Sequence, residues 1–114
     1  MIYAIANRHD GGSIILNASI DASKRVGTTS IYSATKAAIR SFARTVDLKH
    51  RKIRVNAISP SPIDTPAFNR LAQTEEEIEQ IKASLVAAVP MDRIGTPDEI
   101  DKAVSFLASD DSLR

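Results

Sequence analysis

With 114 residues the chain has room for one domain at most. Apolar residues make up 43% and charged residues 25%, an ordinary balance for a soluble globular protein, and fifteen Lys and Arg against fourteen Asp and Glu leave a net charge of +1. That balance gives no steering toward nucleic acid or an anionic membrane, and the lack of cysteine excludes a disulfide framework and thiolate chemistry. No apolar run approaches membrane-spanning length and no secretory leader is visible, so a cytoplasmic protein is expected.

Met1 to Asn7 is apolar without polar alternation and is followed by Arg8, His9, Asp10, Gly11 and Gly12. This reads as the last turns of a helix, with basic residues near its C-terminus and glycines beyond. Ser13 to Ala18 is a short strand whose continuous Ile14-Ile15-Leu16 run predicts burial on both faces. The loop from Ser19 to Ser30 is polar, with Lys24 and Arg25 solvated. A helix over 31–48 carries Ile39, Phe42, Ala43 and Val46 at helical spacing, a core stripe, while Ala34, Ala37 and Ala38 permit close approach of another helix.

Ile53 to Ile58 is the second strand, and Pro60, Pro62 and Pro66 then prevent regular structure. Thr74-Glu75-Glu76-Glu77 is a capping box ahead of Ile78, Ile81, Leu85 and Val89, predicting a helix over 75–88. Thr96-Pro97-Asp98-Glu99 is another, with proline at the first helical position of a helix over 97–108. Its buried face is Ile100, Ala103, Val104 and Leu107. Strand, helix and strand in this order make a parallel βαβ unit, whose ligands bind at the C-terminal ends of the strands.

Tyr32 and Lys36 are four apart in that helix, so they share a face one turn apart. A phenol is a poor proton donor at neutral pH, and a nearby ammonium favours the phenolate. Ser19, thirteen residues upstream, can hold a substrate oxygen beside the Tyr32 hydroxyl, which completes a general acid/base arrangement. The bland alternative is that Tyr-x-x-x-Lys arises in many helices without chemistry, and that Ser19 is a strand-end serine. Asn17 and Asn56 are read as strand-end hydrogen-bonding residues. His9 and His50 have no ligand-spaced partners, so no metal site is expected, and Lys49 to Lys52 is a solvated turn.

Four segments together carry a resemblance: Gly12 to Ser19, Tyr32-Ser33-Ala34-Thr35-Lys36, Val55 to Thr65, and Arg93-Ile94-Gly95-Thr96-Pro97-Asp98-Glu99-Ile100. Their order and spacing resemble the short-chain dehydrogenase/reductase family across nearly the whole chain. The resemblance implies an oxidoreductase that moves a hydride between NAD or NADP and a small carbonyl or alcohol substrate. It implies Tyr32 as the general acid/base, Lys36 as its partner and a ligand of the nicotinamide ribose, and Ser19 as the group that orients the substrate oxygen. Pro60, Ile63 and Thr65 match positions that contact the nicotinamide. Thr65 also reads as an N-cap before Pro66.

The match is to the C-terminal half of such a protein. No Gly-x-x-x-Gly-x-Gly or Gly-x-Gly-x-x-Gly occurs in the 114 residues. The expected fold is therefore an incomplete doubly wound, Rossmann-type parallel sheet: residues 1–114 form one partial domain, a βαβ unit with additional C-terminal helices. Three departures stand out. Asp21 follows the serine where small residues are usual, the chain between Lys36 and Asn56 is slightly short, and the usual Pro-Gly is Pro60-Ser61, a costly change if that position needs positive φ. A half domain exposes the edge of its first strand, so a homo-oligomer or a complementary chain is expected to cover it. The alternative function is a truncated, non-catalytic domain of the same family that acts by protein–protein association.

Overall fold

The computed structural model describes residues 2–6, 11–22, 30–46 and 52–113. They contain strands β1 (Ile2–Ala6), β2 (Gly12–Asn17) and β3 (Ile53–Ile58), and helices α1 (Ser30–Thr45), α2 (Glu75–Ala87) and α3 (Pro97–Ala108). Short 3-10 turns cover Ile20–Ala22, Pro66–Arg70 and Asp110–Leu113. The chain divides into two compact units, one formed by Met1–Pro60 with Asp101–Arg114 and one by Ser61–Ile100.

The first unit is built on a three-stranded sheet in the order β1-β2-β3. β2 and β3 run parallel, with Gly12 opposite Ile53 and Asn17 opposite Ile58. Parallel pairing continues past the strands, because Ala18 N donates to Ile58 O at 2.9 Å and Ile20 N to Pro60 O at 3.1 Å. The expected βαβ unit is thus present, with α1 as its crossover and packed on both strands. Ile15, Leu16 and Ala18 are buried, which suits the unbroken apolar run of β2. Ser13 is buried as well, and its Oγ donates to Leu107 O of α3 at 3.0 Å. On β3, Arg54 donates to Ser112 Oγ at 2.8 Å and to Ser109 O at 3.1 Å, so the C-terminal turn is tied to the sheet.

Three expectations need correction here. Residues 2–6 do not close a helix; they form β1, which pairs antiparallel with β2 from Ile2 opposite Leu16 to Ala6 opposite Gly12. A short apolar run without polar alternation suits either state, and the free N–H and C=O groups along β2 decide it by offering a ladder. The β2 edge expected to lie open is therefore covered by β1. The core stripe of α1 is also thinner than its spacing implies: Ile39, Ala43 and Val46 are half-buried, but Phe42 is 55% exposed. In α3, Ile100, Val104 and Leu107 are half-buried and Ala103 is exposed. Three short strands offer less apolar area than the helix faces could cover.

The second unit holds the proline-rich loop and α2. Thr74 caps α2 with a complete capping box: its hydroxyl accepts Glu77 N at 3.2 Å and the Glu77 carboxylate accepts Thr74 N at 3.3 Å. Phe68, in the turn Pro66–Arg70, is its buried apolar residue. The N-terminus of α3 lies in this unit, where the Glu99 carboxylate accepts Thr96 N at 2.8 Å.

Candidate functional site

In the first unit, the small-residue helix α1 begins at Ser30 and presents Tyr32 and Lys36 one turn apart. The Lys36 ammonium lies 5.5 Å from the centroid of the Tyr32 ring. It donates to the main-chain oxygen of Asn17, the last residue of β2, at 2.9 Å. This bond anchors the Tyr32/Lys36 face of α1 at the C-terminal end of the strand. Asn17 accordingly contributes its backbone carbonyl, in keeping with a strand-end hydrogen-bonding role. Tyr32 is 47% exposed, and its carbonyl accepts the Thr35 hydroxyl at 2.7 Å.

Two residues past the strand, Ser19 is buried, and its Oγ accepts the main-chain N–H of Asp21 at 3.2 Å. The turn Ile20–Ala22 packs against α1. Asp21 thereby enters the site through its backbone amide, which fixes the Ser19 oxygen and leaves the hydroxyl proton to be donated. Pro60 follows β3, and its carbonyl accepts Ile20 N. Ser19, Tyr32, Lys36 and Pro60 all belong to this unit and cluster at the C-terminal edge of the parallel strand pair.

Ile63 and Thr65 belong to the second unit. Ile63 forms an isolated parallel bridge with Gly95. Thr65 occupies the extended N-cap position of the Pro66–Arg70 turn, and its side chain makes no capping bond. Ser61 lies outside the left-handed region; among described non-glycine residues only Lys52 (φ 55) and Asp92 (φ 50) adopt positive φ. Serine in place of glycine therefore carries no backbone strain there, and the expected cost does not arise. The same unit holds a concavity of about 190 Å³ lined in part by Ser61, Ile63, Met91 and Gly95.

Sequence reasoning missed the partners of this loop. Asp64 pairs with Lys82 of α2 at 3.2 Å, and Gly95 packs under Ile63. A family-like Arg-x-Gly segment was legible, but nothing local in it indicates a contact more than thirty residues away. Arg93 and Glu99 form a two-pronged ion pair, with Arg93 Nη1 to Glu99 Oε2 at 2.9 Å and Nη2 to Oε1. The Arg93 guanidinium, aided by the Thr96 N–H, holds the Glu99 carboxyl down to about 2, and Glu99 raises Arg93 above its ordinary value. No group of three or more metal-ligating side chains occurs among the described residues. No described helix is long and apolar enough to cross a membrane.

A parallel strand pair joined by a crossover helix defines a class: an incomplete Rossmann-type α/β fold. The family model described as enoyl-(acyl carrier protein) reductase matches residues 1–113. An oxidoreductase of Methylorubrum extorquens is 39% identical over 111 residues, covering 94% of this chain and 44% of that protein. Among solved structures, the ligand-free aldohexose dehydrogenase of Thermoplasma acidophilum superposes with a TM-score of 0.81 at 31% identity, over 92% of this chain and 44% of that one. The L-sorbose reductase of Gluconobacter frateurii, complexed with NADPH and L-sorbose, gives 0.79 at 32%, over 88% and 41%. The chain belongs to the short-chain dehydrogenase/reductase family, and it spans less than half the length of these relatives.

Proposed function

We propose that this chain carries the catalytic end of an NAD(P)-dependent oxidoreductase that interconverts a carbonyl and an alcohol. The observation that carries the reading is the anchoring of Lys36 to Asn17 O with the Tyr32 ring beside it. The likeness to a reductase complexed with NADPH supports the cofactor class. The residues fit the nicotinamide end of such a cofactor. An ammonium has three donors, so the bond to Asn17 leaves Lys36 capacity for ribose hydroxyls.

When bound, the nicotinamide supplies the hydride to the carbonyl carbon, or accepts it from the alcohol. The protein supplies the proton. Tyr32 Oη donates to the carbonyl oxygen in reduction and accepts from the hydroxyl in oxidation. The Ser19 hydroxyl, its oxygen held by Asp21 N, donates to the same substrate oxygen and orients it. By resemblance, Pro60, Ile63 and Thr65 are the loop residues that would contact the nicotinamide.

The test is a set of NADPH- and NADH-dependent reductions of small ketones and ketoses by the chain, alone and mixed with a separately expressed N-terminal half of a close relative. Turnover that Tyr32→Phe abolishes supports the reading; turnover that Tyr32→Phe leaves unchanged ends it.

A further inference from the structure

The second unit holds Pro62, Ile63 and Asp64 from both sides. On one side Gly95 N donates to Pro62 O at 3.0 Å, and Asp64 N donates to Gly95 O at 2.8 Å. These two bonds bracket Ile63, whose side chain lies over Gly95. A Cβ built on Gly95 would sit 2.6 Å from Ile63 Cδ1, a distance that non-bonded carbons do not reach. Gly95 has no positive φ, so what a side chain there would meet is the tip of Ile63 and not a strained backbone of its own.

On the other side, Lys82 Nζ lies 3.2 Å from Asp64 Oδ1, with its charge 5.5 Å from the centroid of the buried Phe68 ring. Lys82 also meets Glu79 at 3.8 Å. The Lys82 side chain is 25% exposed and that of Asp64 59%, so the pair contributes little to stability. What it does is draw the Asp64 side chain, next to Ile63 in the chain, toward α2.

We infer that Gly95 and Lys82 are positioning residues for the nicotinamide: a two-sided clamp that fixes the loop segment carrying Ile63 and Thr65. The inference rests on the cofactor reading above and deepens it. A loop of prolines has no ladder of its own, so its geometry must be imposed from outside. The Gly95 backbone and the Asp64–Lys82 pair are the contacts in this unit that impose it. Gly95→Ala forces the tip of the Ile63 side chain to move. Lys82→Met keeps the stem over Phe68 and removes only the charge.

The experiment is saturation-transfer NMR on the 114-residue chain with NADH and NADPH, reading transfer to the nicotinamide protons relative to the adenine protons. Millimolar binding suffices for this readout. Gly95→Ala and Lys82→Met are expected to lower the nicotinamide-to-adenine ratio about threefold, a loss of orientation and not of fold, and Lys82→Arg to restore it. If Gly95→Ala fails to fold, the Lys82 pair decides, since it lies on the surface. Lys82→Met and Lys82→Arg ratios equal to wild type overturn the inference and leave the cofactor reading standing. Absence of any transfer to wild-type protein overturns the clamp's role, while the cofactor reading is decided separately by the turnover assay.

Discussion

Lys36 Nζ donates to the carbonyl oxygen of Asn17 at 2.9 Å, and this single bond joins the crossover helix to the end of the strand before it. The bond is charge-assisted and partly buried, which makes it worth more than a surface contact. Lys36→Met should therefore destabilise the fold by about 1.5–3 kcal/mol, the loss expected for a hydrogen bond to a charged group. Urea unfolding measures it. An unchanged midpoint would mean that the bond does not persist in solution.

Tyr32 offers the contrasting case. Its ring is half-exposed, so Tyr32→Phe should leave stability nearly unchanged. The same change should lower any carbonyl reduction by about 10²–10⁴-fold, the usual contribution of a positioned proton donor. Ser19→Ala should cost less, because it weakens one orienting bond of several. Steady-state rates and melting curves on both variants separate the two effects.

Gly11→Ala should destabilise by about 2 kcal/mol or more, because two penalties combine. Gly11 has φ 111, where side chains are strained, and an added Cβ would stand 2.9 Å from Lys52 O. That oxygen is backbone and cannot swing away. Thermal unfolding of this variant at the same melting point as wild type would show that the approach of residues 11 and 52 relaxes at no cost.

The Glu99–Arg93 pair gives a pH signature. The Glu99 carboxyl is held down to about 2 against an ordinary 4.5. Above about pH 4.5 it is ionised in folded and unfolded chains alike, and its contribution is fully present. Between those values the unfolded chain takes up a proton that the folded chain does not, so stability falls as acid is added. The difference in urea midpoint between wild type and Glu99→Gln should therefore be largest near neutral pH and vanish toward pH 2. Both side chains are half-exposed, so salt should shrink it. A difference that grows on acidification would contradict the assignment.

Nucleotide affinity should be poor. Pyrophosphate binding in such folds comes mainly from a glycine-rich turn feeding a helix N-terminus, and the 114 residues contain none. The contacts proposed for the nicotinamide end would have to offset the immobilisation of a large flexible ligand. We expect dissociation constants for NADH and NADPH above about 1 mM, or roughly −4 kcal/mol. Calorimetric titration yielding micromolar binding would overturn this view and make the chain a candidate for a self-sufficient enzyme.

What could be read in the sequence was whatever local chemistry determines. The pairing of 12–17 with 53–58 follows from two apolar runs separated by a helix, and β3 occupies the expected residues. The α2 start follows from Thr74 and Glu77, which satisfy each other's backbone within one turn. Tyr32 and Lys36 were legible because helical geometry alone brings i and i+4 together. Tertiary structure decided the rest. Five apolar residues at the N-terminus have no period that distinguishes helix from strand, and only the open ladder of β2 made them β1. Ser61 looked costly because the φ of a proline-rich loop is imposed by what the loop touches, and Gly95 was the partner that a reading by neighbours could not find. Local hydrogen bonds and periodicity are encoded within a turn or two of chain; edge pairing and close packing depend on which distant backbone arrives, and that is determined only when the whole chain closes.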